Sequence, residues 1–181
     1  MRILRILLSR LRGEQNIDKL KKRGLKIGKN CKLGSCTIDP SHCFHITIGD
    51  NVTFGPHVHV LAHDASTHVF LGVTRVANVS IGSNVFIGAY SIVMPGVSIG
   101  DNVVIGAGSI VTCDIPSNSV AVGSPARVVK TLNEYLDSKR AEMKEGNTFD
   151  DAYTLRNPHF GNEHRQSLID GCKKHGCIYV K

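Results

Sequence analysis

From Ile81 to Val111 a branched apolar residue recurs every six positions: Ile81, Ile87, Val93, Ile99, Ile105 and Val111. Gly follows it at Gly82, Gly88, Gly100 and Gly106, and a small or branched residue stands four places on, at Val85, Ser91, Val97, Val103 and Ser109. An amphipathic helix needs apolar residues at three- and four-residue steps, which this run lacks. Strand side chains alternate with period two, so positions one and five of each hexapeptide point to the same side. The Gly-x-Asn between them is turn chemistry, because both residues tolerate left-handed backbone angles. Each hexapeptide therefore predicts one short strand and one corner, stacked so that inward Ile and Val columns form a narrow core.

Weaker copies extend the pattern toward the N-terminus. Ile27-Gly28-Lys29-Asn30-Cys31 and Leu33-Gly34-Ser35-Cys36-Thr37 open it. Register blurs from Ile38 to Thr47, where Asp39-Pro40-Ser41-His42 reads as a turn. It resumes at Ile48-Gly49-Asp50-Asn51-Val52 and Phe54-Gly55-Pro56-His57-Val58 and reaches Val60. Between Val60 and Ile81 the spacing is 21 residues, where an unbroken register predicts 18. Residues Leu61–His68 and Gly72–Arg75 carry no hexapeptide. A loop extruded from a regular repeat is a natural place for a functional site.

The flanks differ in character. Residues 1–23 read as a basic amphipathic helix, with Ile3, Leu4, Leu7, Leu8 and Leu11 on one face and Arg2, Arg5, Ser9 and Arg12 on the other, ended by Gly24. Two uses fit it: packing on the repeat or a neighbouring subunit, which we favour, and contact with an anionic membrane surface. From Thr131 the repeats stop. A helix to about Glu145, a loop over 147–162, a second helix over 163–174 and a short strand at 177–180 are predicted, and capping of the repeat end is the expected use of this tail.

Composition sharpens the picture. Six cysteines are scattered without a C-x-x-C pair, and no signal peptide or membrane-spanning run is evident, which predicts reduced thiols in a cytoplasmic protein. The net charge of +7 implies an anionic partner. A nucleic-acid motif with interleaved aromatic and basic residues is lacking, so no nucleic acid is expected and a phosphorylated cofactor is the more economical partner.

The tandem [Ile/Leu/Val]-Gly-x-x-[small]-x units, over about residues 27–130, resemble the hexapeptide acyltransferases. The resemblance implies a mainly β fold: a left-handed parallel β-helix solenoid with three hexapeptides per 18-residue coil. Residues 1–26 then form an N-terminal helical segment, 61–80 a loop excursion and 131–181 a C-terminal helical extension. It further implies a homotrimer with active sites between subunits, acetyl-CoA as acyl donor and no metal. In this family the catalytic His lies where the excursion leaves the coil, which is His63, within Ala62-His63-Asp64.

Imidazole suits the task, because acyl transfer to a hydroxyl needs a proton removed near neutral pH. Asp64 is a candidate for orienting the His63 ring and, with His57 and His59, for holding the acceptor. Ala89, Ala107 and Thr112 match small positions along which the pantetheine arm lies. Pro125, Arg127 and Lys130, within Ile115–Lys130, match positions at the adenine and phosphate end of coenzyme A, where cations pair with phosphates.

The nearest likeness is to the sugar and polysaccharide O-acetyltransferases acting on galactosides, maltose and nodulation factors. N-acetylation of an amino or nucleotide sugar and acetylation of a xenobiotic stay open as acceptor chemistries. A further alternative is a zinc protein like the γ-class carbonic anhydrases, suggested by His63-x4-His68.

Overall fold

The computed structural model describes residues 15–181. The first fourteen positions of the expected N-terminal helix lie outside the described residues. Two compact units are present, one ending at Asn133 and one running from Glu134 to Lys181.

The described part of the first unit opens with α1 (Ile17–Lys22), capped at its start by the Asn16 side chain, which accepts from the Lys19 N–H. Short strands follow: β1 (Lys26–Ile27), β2 (Thr37–Ile38), β3 (Ile46–Ile48), β4 (Thr53–Phe54), β5 (His59–Val60) and β6 (His63–Asp64). After α2 (His68–Leu71) come β7 (Arg75–Val76), β8 (Val79–Ile81), β9 (Phe86–Ile87) and β10 (Ile92–Val93). The series ends with β11 (Ser98–Ile99), β12 (Val104–Ile105), β13 (Ile110–Val111), β14 (Ser119–Gly123) and β15 (Ala126–Thr131).

Apart from β6 and β7, these strands sort into three sheets that the chain visits in rotation. The first is β1-β3-β8-β11, the second β4-β9-β12-β14-β15 and the third β2-β5-β10-β13. All neighbours pair parallel except β14 and β15, which form an antiparallel hairpin at the edge. In the regular part the register advances 18 residues per visit: Ile81 faces Ile99, Ile87 faces Ile105 and Val93 faces Val111.

The hexapeptide logic holds at the level of side chains. Positions one and five are buried throughout the regular run, from Ile81 and Val85 to Ser109 and Val111. Two of the inward residues are polar, and each is satisfied: the Ser91 and Ser109 hydroxyls both donate to the Gly106 carbonyl, at 3.0 and 2.7 Å. One turn per visit is built on asparagine in the left-handed region. Asn30, Asn51, Asn84, Asn102 and Asn118 all have φ of 55–58°. Each side-chain amide donates to the next Asn oxygen, at 3.2, 3.0, 3.1 and 3.1 Å, so the turns are tied into a ladder.

Length varies mostly at one connection; the first coil is also one residue short between Leu33 and Ile38. From Ile48 onward, the inward residue recurs after six positions from first to second sheet and from second to third, as in Ile48, Phe54 and Val60. The return from third sheet to first carries the irregularity. It is longer than six after Ile38, much longer after Val60 and shorter after Val111. The reading of the break is corrected accordingly. Val60 and Ile81 are separated by a single connection, which an unbroken register would span in six residues rather than 18. The excursion therefore adds fifteen residues, and Val60 pairs with Val93, 33 positions on. The excursion is an antiparallel ribbon of β6 and β7 carrying α2 at its tip.

The second unit contains all but the first two residues of α3 (Leu132–Glu142), with β16 (Thr148–Phe149), α4 (Asn162–His175) and β17 (Tyr179–Val180). β16 and β17 pair parallel, so the segment read as loop over 147–162 supplies the partner of the C-terminal strand. Among the described residues no helix is long and apolar enough to cross a membrane.

Candidate active site

The two long return connections, after β2 and after β5, are neighbours because their parent strands are paired. They bring Asp39 and His63 together across 24 positions of sequence. Asp39 is fully buried, and both its oxygens are engaged. Oδ1 accepts from the Ser41 and His42 N–H groups at 3.0 Å each. Oδ2 accepts from the Ala62 N–H at 3.1 Å and bonds the His63 ring at Nδ1.

Burial alone would push the Asp39 carboxyl up. The His63 ring and the N–H groups of His42, Ala62 and Ser41 outweigh it and hold the carboxyl below the usual range. Asp39 is thus an ionised acceptor, and the hydrogen in the shared bond belongs to His63 Nδ1. In a neutral ring, that bond leaves Nε2 as the nitrogen with the lone pair. The His63 side chain is 33% exposed, while the carboxylate it bonds is buried.

His42 completes the group. Its ring lies 4.7 Å from that of His63, tilted by 41°, and its buried Nδ1 has no hydrogen-bond partner. His45, one 3₁₀ turn on, bonds Asn78 through Nδ1 at 2.7 Å, tying the base of the excursion to the preceding connection.

The other sequence candidates separate from this cluster. The Asp64 carboxylate accepts from the Ser66 N–H at 2.8 Å, and that bond lowers its pKa. The ring's partner is Asp39. His57 occupies a turn with φ of 59° and packs on Tyr90 at 4.9 Å, while His59 stands half-buried on β5. His68 is exposed on α2. Among the described residues, the metal-ligating side chains that converge within 4.8 Å are Asp39, His42 and His63, and His68 is not one of them. This set holds two His and one carboxylate, so it is not the three-His set that the zinc reading named.

Asp39 and His42 were read from sequence only as part of a turn. The usable signal was the position of Asp39 directly after a strand that pairs with β5, two places before the level of His63.

The comparisons with known proteins agree with this architecture. Residues 78–113 match the bacterial transferase hexapeptide (six repeats) family. Over 124 residues the chain is 40% identical to Protein CapG of Staphylococcus aureus, covering 65% of this chain and 72% of that protein. Over 166 residues it is 35% identical to a galactoside O-acetyltransferase of Lactococcus lactis, covering 73% and 77%. The chain belongs to the hexapeptide-repeat transferases. A solved structure of a galactoside acetyltransferase in complex with coenzyme A superposes with a TM-score of 0.53 at 34% identity, over 65% of this chain and 70% of that one.

Within this acyltransferase, the remaining candidate positions lie along the second and third sheets. Ala89 and Ala107 follow β9 and β12 in equivalent turns. The turns are so close that a Cβ on Gly88 would stand 2.4 Å from the Ala107 nitrogen. Thr112 is exposed just after β13. Pro125 sits in the β14–β15 turn, and Arg127 and Lys130 are exposed on β15. The Arg127 guanidinium donates to the Ala126 carbonyl at 2.8 Å and lies 3.8 Å from the Cys113 sulfur, leaving further donors for an anion.

Proposed function

We propose that the protein is an acetyl-CoA-dependent O-acetyltransferase acting on a sugar or polysaccharide-precursor hydroxyl. The observation that carries the reading is the Asp39–His63 pair. A buried carboxylate fixes the Nδ1–H tautomer and leaves His63 Nε2 as base at the root of the excursion. His63 removes the acceptor hydroxyl proton as the oxygen attacks the acetyl thioester; Asp39 stabilises the imidazolium that forms. The proton on Nε2 then passes to the departing thiolate, and the acetyl group leaves on the acceptor oxygen. Transfer is direct, within a ternary complex.

The three parallel sheets are those of a left-handed β-helix spanning about residues 27–130. Small residues Ala89, Ala107 and Thr112 give the pantetheine arm a flat track. Pro125 packs against the adenine end, and Arg127 and Lys130 pair with phosphates. Asp64, His57 and His59 contact the acceptor. The functional form is a cytoplasmic homotrimer whose sites lie between chains. The exposed Val69, Phe70 and Leu71 at the excursion tip support that arrangement, because three adjacent apolar side chains are more than 70% or about 70% exposed in the single chain. The resemblance to CapG and to galactoside acetyltransferases supports a saccharide acceptor.

The test is release of free thiol from acetyl-CoA in the presence of a panel of saccharides and nucleotide sugars. Acceptor-dependent release with an alkali-labile product is expected. An alkali-stable amide product would replace the O-acetyl reading by N-acetylation.

A further inference from the structure

The net positive charge of this chain arises at its beginning. Residues 1–32 hold eleven of the 22 Lys and Arg and only two of the 15 Asp and Glu, so the remaining 149 residues are slightly acidic in sum although the whole chain is +7. From Lys19 to Ile38 no acidic residue occurs. The described cations of this stretch, Lys19, Lys21, Lys22, Arg23, Lys26, Lys29 and Lys32, are all exposed.

Topology gathers them at one end. β1 is the edge strand of the first sheet and β2 of the third, and Lys32 bridges to Thr53 of β4, beyond which the second sheet has no further strand among the described residues. Residues 26–38 are therefore the terminal layer of the unit. Lys26, Lys29 and Lys32 lie in that layer, and Lys19, Lys21, Lys22 and Arg23 on or beside α1, which packs its Leu20 into the same core. The end is also closed against further strand pairing on the third sheet. The Gln15 side chain donates to the Ile38 carbonyl at 2.9 Å and accepts from the Ile38 N–H at 2.6 Å, as a neighbouring strand would.

We infer that this end is a docking face for an anionic lipid bilayer, so that the enzyme works on acceptors held at a membrane surface. Two observations favour lipid over nucleic acid. Ahead of the basic layer the sequence carries Ile3, Leu4, Leu7, Leu8 and Leu11 between Arg2, Arg5, Arg10 and Arg12, and apolar residues alternating with cations suit a bilayer interface. No Phe, Tyr or Trp occurs before Phe44, and Phe44, beside Gly24, is a single ring where stacking of successive bases needs several. Clustered cations are drawn to anionic leaflets, additively and with strong salt dependence. None of the described lysines of the face is bonded to Asp39 or His63, and docking does not depend on the acyl-transfer reading.

The test is sedimentation of the full chain with vesicles of phosphatidylcholine alone or mixed with phosphatidylglycerol, at about 0.05 M and about 0.5 M salt, with and without a competing oligonucleotide. Thiol release on a soluble saccharide is measured in parallel. Binding to the anionic vesicles only, lost at high salt, is expected. Substituting Lys21→Gln, Lys22→Gln, Lys26→Gln and Lys29→Gln together is expected to lower the partition coefficient at least about tenfold. Turnover of the soluble saccharide stays unchanged, which shows that the variant is folded. A second variant, Leu7→Glu with Leu8→Glu, is expected to weaken vesicle binding with the lysines intact. Equal binding to both vesicle types, no binding to the anionic ones, an unaffected lysine variant, or full competition by the oligonucleotide would each overturn the inference.

Discussion

At the scale of the residue, the account rests on Asp39. It is buried, saturated with four hydrogen bonds and out of reach of any substrate, so it acts through His63. Asp39→Asn removes the charge that holds the Nδ1–H tautomer. It is expected to lower kcat by about 10²- to 10⁴-fold with KM nearly unchanged, as read from initial rates on any active acceptor. A stability signature accompanies this. The carboxyl is held below its ordinary value of about 3.9, so its contribution is complete above that pH and is lost as pH falls through the lower folded value. Thermal unfolding between about pH 5 and pH 2 should therefore show a steeper loss for wild type than for Asp39→Asn. Cys36 gives a control in the opposite direction. Burial pushes its thiol up to about 11, so it should resist alkylation at pH 8 while the exposed Cys113, Cys172 and Cys177 are modified. Labelling of Cys36 at the rate of the exposed thiols would show that the core opens readily. The excursion at whose root His63 stands was legible in sequence because it interrupts a strict period. Asp39 was not, because its partner is 24 residues away and its own neighbourhood reads as an ordinary Asp-Pro turn. A single sequence exposes local periodicity; it does not show which two irregular connections stack.

At the scale of the element, the repeat was legible almost residue by residue, because burial at positions one and five follows directly from strand alternation. The turns were legible too, since Gly-x-Asn places asparagine where φ is positive. Two substitutions probe them. Asn84→Ala keeps an unfavourable φ of 57° and breaks two rungs of the amide ladder; a loss of about 1–3 kcal/mol in denaturant unfolding is expected. Gly88→Ala drives a methyl to 2.4 Å from backbone that cannot give way, so the Ala89–Ala107 track should shift. The expected result is a lower melting temperature together with a raised KM for acetyl-CoA. The β16 strand was missed for a physical reason: two residues are too few to show a period, and only pairing with Tyr179–Val180 makes them a strand.

At the scale of the whole molecule, the connections that return from third sheet to first absorb nearly all the length variation of the paired coils, and Asp39 and His63 sit in two of them. Rigid repeats can carry loops of any length at one edge without disturbing the core, which is how a regular stack comes to hold an irregular site. The proposed trimer predicts a solution mass three times that of the 19.7 kDa chain by light scattering. A charged tip, Phe70→Asp, is expected to shift that mass toward the monomer. The central claim is that His63 is the base. It is tested most directly by kcat/KM for acetyl-CoA-dependent acetylation in wild type and His63→Ala, with coenzyme A affinity measured on both. A loss of about 10²- to 10⁴-fold with coenzyme A still bound is the predicted result; a variant that turns over at the wild-type rate would contradict the account.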